Sequence, residues 1–400
     1  MKRMPPVAVV GMGCICAAGA TIDPCMESLF AGHRNPQLPS RFTIPKGFTY
    51  PVFEVPDTFI RSGGPGSATQ RTSLLAQCAT EEALADAGLT SDDLATVKTG
   101  ICIGTNVGGS LGNETLFADM QQNDTTHIMP ADRFAMSNPT AHLMDRYGLN
   151  GPFQTVVNAC SAGNDAIGIA AGWIDAGWCD LVLAGGADEM YQVTYVGFKS
   201  LFINSDAPCQ PFDRHRKGLN LGEGAAVMLL ASTRLCEAID LTPRGYVLGY
   251  GAAADAHHFT HPLADGAGLR AAIRDAIQQS GISTDDVAFI NAHGTGTHGN
   301  DKVESTVLTD LFPQRPFLST KGYTGHTLGA AGPVEAVFTL ACLQHRQIPK
   351  TIGFETPDPE LPATPTTRNQ SITGSVAVSE TLGFGGSNSV LILGKGDRPS

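Results

Sequence analysis

One segment of the chain occurs twice. ALADAGLTSDDLA, Ala83 to Ala95, is matched by AIQQSGISTDDVA, Ala276 to Ala288, with Gly88 against Gly281 and Asp92 against Asp285 at one constant offset. Each copy reads as the end of an amphipathic helix, a glycine that stops it, a polar turn and the start of a strand. A second pair runs from glycines into apolar strands, GEGAAVMLLA (Gly222 to Ala231) and GGSNSVLILG (Gly385 to Gly394). A repeat of roughly half the chain length implies two similar α/β halves, since solenoid units are only tens of residues long. The second half is expected to start near Gly245, dividing the chain into residues 1–244 and 245–400.

A chain of 400 residues with 42% hydrophobic and 16% charged residues is long enough and apolar enough for a substantial core. Its 46 glycines therefore read as tight turns and close backbone approaches, not disorder. A net charge of −12 argues against general nucleic-acid binding but leaves room for a local basic patch. The ten cysteines form no C-x-x-C pair, so they read as reduced thiols of a cytoplasmic protein, and metal binding at Cys14 and Cys16 is not expected. No apolar run approaches the ~18 to 20 residues of a membrane span.

Along the chain, Val7 to Val10 reads as a buried strand and the following GMGCICAAG as a structural turn. It has the outline of a dinucleotide loop, but Cys16 stands where the third glycine would be. Residues 33–68, rich in Pro, Gly and Ser, read as a surface excursion. A helix is expected over Arg71 to Gly88, and strands over Ile101 to Gly104, Val287 to Asn291 and Pro316 to Leu318.

The chemistry concentrates after a short β-branched run, Phe153 to Val157, expected to be a buried strand, and before an Ala/Gly-rich helix, Ser161 to Gly177. Cys160 sits at that junction. A thiol at a helix N-terminus meets unpaired amides and the positive end of the macrodipole, which favour a thiolate and a lowered pKa. The same elbow offers Ser161 as a hydrolase nucleophile, although Ala159 stands where a G-x-S-x-G pattern has glycine. His293 follows a strand and precedes GTGT, and His326 lies between Gly325 and Thr327. Either histidine alone reads equally as structural; with a thiol nucleophile they supply the charge-stabilising donors that acyl chemistry needs.

These residues sit in five motifs, in order: NACSAG at Cys160, QPFDRHRKGLNLGEGAAVML from Gln210, HGTGTHGNDKVE from His293, KGYTGH ending at His326, and GFGGSN from Gly383. Over nearly its whole length the chain resembles the elongating β-ketoacyl-[acyl-carrier-protein] synthases, the Cys-His-His condensing enzymes of the thiolase fold. The resemblance implies an α/β fold of two pseudo-repeated halves in α-β-α-β-α layers. It implies Cys160 as acyl acceptor, the backbone N–H groups of Cys160 and Phe384 as oxyanion hole, and His293 and His326 as the groups that hold a malonyl thioester during decarboxylation. Lys321 and Glu304 would form the charged pair behind the histidines, and Asp301 would be structural. Thr295 and Thr297 would bind the pantetheine arm, Phe384 would gate the nucleophile, and Val107 and Gly385 would contact substrate.

The implied partner is an acyl carrier protein whose phosphopantetheine carries the substrates, with no other cofactor and no metal. A homodimer is implied, or a heterodimer with a related chain-length subunit. Where the family has a basic docking segment, this chain has SGGPGSATQ, Ser62 to Gln70, flanked by Arg61 and Arg71, and Gln210 replaces a basic residue before Pro211. Arg214, Arg216 and Lys217 remain as a candidate patch. The priming synthases and thiolases are the nearest alternatives of the same fold; the priming type carries Asn where this chain has His326, and thiolases use a second cysteine. A noncatalytic chain-length partner typically lacks the nucleophile that Cys160 provides here.

Overall fold

The computed structural model describes residues 4–44, 46–60, 69–108, 121–122 and 138–396. Most of the candidate docking segment, including Arg61, lies outside them. The principal strands of the first half are β1 (Val7–Cys16), β2 (Thr99–Gly104), β3 (Phe153–Val156), β4 (Leu181–Asp188) and β5 (Gly224–Ala231). Those of the second are β6 (Gly245–Ala254), β7 (Val287–Asn291), β8 (Phe317–Leu318), the small ribbon β9 (Gln347–Ile348) and β10 (Gln370–Ser371), then β11 (Val376–Gly383) and β12 (Ser387–Lys395).

Ten of these strands form one sheet in the order β3-β2-β4-β5-β1-β6-β12-β11-β7-β8. Outward from the β1–β6 junction the two arms repeat one another. In each, the first two pairings are antiparallel and the last two parallel. The junction itself spans only Val7–Val247, Ala8–Tyr246 and Val9–Gly245. The repeated sequence segments occupy equivalent places. Gly88 and Gly281 both end a helix in the left-handed conformation, at φ 69° and 70°. Each is followed by a capping box in which Asp93 or Asp286 accepts from the backbone N–H of Thr90 or Ser283, which explains the aspartates of the repeat.

Two helices, Ala162–Asp175 and Ala331–His345, pack against each other and against strands of both arms, and are buried nearly all round. Their freedom from charge, apart from a few acids, is what such a central layer requires. Helices Arg71–Ala87 and Ala267–Ser280 cover the opposite faces of the sheet, at β1/β5 and β6/β12. This gives the layered architecture.

The structure corrects two strand readings. GMGCIC is no turn: β1 continues to Cys16. Gly11 and Gly13 belong there because helix Arg71–Ala87 lies so close that a Cβ on either would come within 2.1 Å of Ala83 O or 1.9 Å of Ala79 O. The run Phe153 to Val157 is no buried strand either. β3 is an edge of the sheet, and Phe153 and Val157 are 64% and 68% exposed.

Candidate active site

Cys160 stands on a sharp elbow between β3 and the central helix Ala162–Asp175. Ala159, the residue before it, has φ 47°, a strained value for a residue with a Cβ. Asn158 ties the elbow down through its amide, which donates to Asp165 Oδ2 (2.6 Å) and to Ser387 Oγ (2.8 Å). Ser161 is fully buried and its hydroxyl donates to the Ser387 carbonyl, so it does not face the cavity above Cys160. The serine nucleophile is thereby set aside.

Both histidines reach the thiol. His326 Nε2 lies 3.0 Å from Cys160 Sγ, and the two rings are edge-to-face with centroids 5.2 Å apart. One nitrogen of each ring and the sulfur fall within 4.8 Å of one another. The tautomers follow from the partners of Nδ1. The Leu328 N–H donates to His326 Nδ1 (3.1 Å), and Lys321 Nζ donates to His293 Nδ1 (2.9 Å). Burial, reinforced by the charge of Lys321, holds both imidazoles well below their usual pKa. Each neutral ring then carries its proton on Nε2, so both are donors to the site.

The expected thiolate is not the resting state. Burial pushes the Cys160 thiol up to about 11, although Lys321 and the backbone N–H groups of Phe384 and Cys160 pull the other way. Helix-terminus stabilisation of up to ~2 kcal/mol is too small to offset desolvation of a charge at a site 4% exposed. Those two N–H groups lie close enough to the sulfur to favour its charged form.

A second correction concerns the charged pair. Lys321 pairs with Glu335 on the central helix Ala331–His345, not with Glu304. Glu304 instead accepts from the backbone N–H of His293 and of Gly294, and from Asn300, and so fixes the turn that carries the first histidine. Burial raises Glu304 and brings Glu335 to about 7; burial, with the charges of Glu304 and Glu335, pushes Glu380 well above its usual value. Asp301 is structural, accepting from the N–H of Phe212 and of Gly296.

A cavity of about 280 Å³ opens over Cys160, His293 and His326, and Thr295, Thr297 and Phe384 are among its lining residues. The Phe384 ring stacks on Phe198 at 5.7 Å. Gly385 lies off the lining: at φ 84° its N–H donates to Phe259 O (2.7 Å), holding down the loop at the cavity mouth. Val107 is not in this lining either. Its N–H donates to Asp188, whose carboxylate also accepts from Thr105, Asn106 and Gly329. Asp188 thus joins the loop after β2 to the segment after His326. Of the basic residues, Arg216 is buried and bonded to Asp358, whereas Arg214 and Lys217 are exposed and Lys217 borders the cavity.

Sequence reading missed Asp188, Leu328 and Glu335. Glu335 did carry a signal, as the sole acid in an apolar run. Leu328 acts through its backbone, held at φ 56°, which no side-chain motif could reveal.

Comparisons agree with this geometry. The family model described as the β-ketoacyl synthase N-terminal domain matches residues 4–235, and the C-terminal domain model matches residues 244–355. A 3-oxoacyl-[acyl-carrier-protein] synthase 2 of Synechocystis sp. is 30% identical, covering 97% of this chain and 98% of its own. Among solved structures, the ishigamide ketosynthase/chain length factor superposes with a TM-score of 0.89 at 30% identity, over 99% of this chain and 100% of that one. A type II polyketide acyl-carrier protein in complex with its ketosynthase, bound to the hexaketide, gives 0.87 at 25% identity over the same shares. With a thiol, two Nε2–H donors and two amides converging in one cavity of a thiolase fold, the chain belongs to the β-ketoacyl synthase family of condensing acyltransferases.

Proposed function

We propose that the protein catalyses a decarboxylative Claisen condensation between an acyl group on Cys160 and a malonyl group on an acyl carrier protein. In the first half-reaction Cys160 Sγ attacks the incoming thioester. Its proton passes to the departing pantetheine sulfur, and the acyl–sulfur bond re-forms on the enzyme. Negative charge on Sγ is met by His326 Nε2–H and the two backbone amides, so the thiolate is stabilised as it develops and is not stored beforehand.

In the second half-reaction the malonyl thioester enters with its carbonyl oxygen at the two Nε2–H groups. The C–C bond to the carboxylate breaks, carbon dioxide leaves, and the electron pair becomes an enolate held by His293 and His326. Its carbon attacks the acyl carbonyl, whose oxygen occupies the hole made by the N–H groups of Cys160 and Phe384. The Cys160–acyl bond then breaks with its electron pair on Sγ, which takes up a proton from solvent to restore the thiol, giving a 3-oxoacyl product two carbons longer. Lys321, anchored by Glu335, is a positioning residue that keeps the His293 proton on Nε2.

Thr295 and Thr297, whose hydroxyls are 2.9 Å apart in the cavity wall, would bind the pantetheine amides; Lys217 and Arg214 would face the carrier's phosphate and acidic surface. The halves 1–244 and 245–400 are the repeating units of the fold, the first carrying the nucleophile and the second both histidines. No helix among the described residues is long and apolar enough to cross a membrane, and all ten cysteines are free thiols, which supports a reducing cytoplasm. The observation that carries the reading is the 3.0 Å contact between His326 Nε2 and Cys160 Sγ. The test is intact-protein mass after mixing with a panel of acyl carrier thioesters, followed by malonyl carrier. Loading on Cys160 and release of a two-carbon-longer product support it; hydrolysis without loading refutes it.

A further inference from the structure

Away from the active site, three sulfur atoms meet in the core. Cys14 and Cys16 lie two residues apart on β1 and so share one face of the strand; Cys25 comes from the first helix, Ile22–Ala31. All three are 0% exposed, and their Sγ atoms lie within 4.8 Å of one another, with Cys16 and Cys25 at 3.6 Å. Nothing in the condensing chemistry uses them.

The cluster is pre-formed by its surroundings. Glu82 receives the Cys14 N–H on Oε2 (2.7 Å) and the Ile22 N–H on Oε1 (2.8 Å), clamping the strand to the start of the helix. The Cys16 and Gly19 backbones bond each other both ways and close a tight turn over the sulfurs. A Cβ at residue 19 would come within 3.0 Å of Cys25 Sγ and 2.5 Å of its backbone nitrogen, so only glycine lets that turn sit so close.

We propose that Cys14, Cys16 and Cys25 form a three-sulfur site for a soft, thiophilic cation of the Cu(I) class. Metal–sulfur bonds of ~2.3 Å in a trigonal plane put the sulfurs ~4.0 Å apart, so the observed spacing needs only side-chain adjustment. A tetrahedral ion such as Zn(II) wants a fourth donor. Glu82, the acid that clamps the strand to the helix, has both oxygens committed to backbone amides, which leaves a sulfur-only, three-coordinate set among the grouped ligands. Soft thiolates with that geometry select Cu(I) over the harder divalent ions. Binding is ligation without oxidation; each thiol that ligates releases its proton to solvent.

The experiment uses the full chain carrying Cys160→Ala, because the active-site Cys-His-His set is itself a possible ligand group. Cu(I), supplied anaerobically as its acetonitrile complex, is competed against bathocuproine disulfonate, and the bound ion is examined by X-ray absorption. The expected result is one Cu(I) per chain with a shell of three sulfurs. Adding Cys25→Ser should weaken binding on the order of 100-fold, as losing a ligand costs at least as much as losing its outer-shell partner. Cys342→Ala, a buried thiol outside the cluster, should leave binding unchanged. Cys25→Ser is accepted as folded only if, with Cys160 restored, it still loads an acyl group; otherwise Cys25→Ala or the parent's sulfur shell alone decides. Less than one equivalent bound, nitrogen or oxygen in the shell, or a folded Cys25→Ser chain with undiminished affinity overturns the proposal.

Discussion

At Cys160 the competition between desolvation and electrostatic help has a measurable outcome. With the thiol near 11, the thiolate fraction grows tenfold per pH unit throughout the neutral range, so iodoacetamide labelling of the unacylated enzyme should climb one decade per unit from pH 7 to 9 without levelling. A plateau at or below pH 8 would mean that a thiolate is stored after all. The histidines divide the work differently. Cys160→Ala leaves both Nε2–H donors, so acyl loading should vanish while slow carbon dioxide release from malonyl carrier persists. His293→Ala removes a donor to the enolate and should cost ~10²- to 10³-fold in decarboxylation, with loading of Cys160 retained. Carbon dioxide release and acyl-enzyme mass for the two variants separate the roles. Lys321→Met strips both the Nδ1 partner of His293 and the charge that eases ionisation of Cys160, so it should lower decarboxylation and also reduce iodoacetamide labelling of Cys160 at each pH, whereas a purely structural lysine would leave the labelling profile in place.

At the level of elements, the sequence was most legible where local chemistry and tertiary position agree. The strand Val287–Asn291 and the helix starting at Arg71 fall where apolar spacing puts them, and the capping aspartates mark equivalent turns in both halves. It misled where a residue's meaning depends on what lies across from it. Gly11 and Gly13 look like turn residues until the backbone of helix Arg71–Ala87 is seen against them, and Phe153 looks like core until the sheet order puts it at an edge. The partner of Lys321 was misassigned for the same reason. Glu304 and Glu335 are both buried near it, and only the packing of helix Ala331–His345 decides for Glu335. That helix also approaches the nucleophile helix closely at Gly163. A Cβ on Gly163 would lie 2.3 Å from Pro333 Cδ and 2.5 Å from Gly329 O. Gly163→Ala should therefore destabilise the fold by ~1 to 3 kcal/mol, read from the denaturant midpoint, and should push the His326 segment away from Cys160. An unchanged midpoint with full activity would show that the central layer gives way more easily than its packing suggests.

For the whole molecule, the exposed end of the sheet is the outstanding feature. Among the described residues β3 is an edge strand of four residues, Phe153 on it and Val157 just after it are exposed, and Trp178 is 56% exposed. An apolar edge strand invites pairing with another chain, and a monomer would carry it at the risk of aggregation. Pairing there would cover the strand that leads into Cys160. Stable interfaces of this obligate kind bury on the order of 2,000 Å² or more. We expect a two-chain particle whose contact runs through β3, formed with a second copy or with a related chain-length subunit. Sedimentation of the purified chain distinguishes these, since a self-pairing chain is dimeric alone and a heterologous one reaches that mass only after the related subunit is added. In either case Phe153→Asp with Val157→Asp should halve the sedimenting mass and sharply reduce turnover, because the charges face an apolar partner and the strand beneath the nucleophile loses its cover. A double variant that keeps the parent's mass would move the interface elsewhere, and one that is monomeric yet fully active would remove the dependence of the site on its partner.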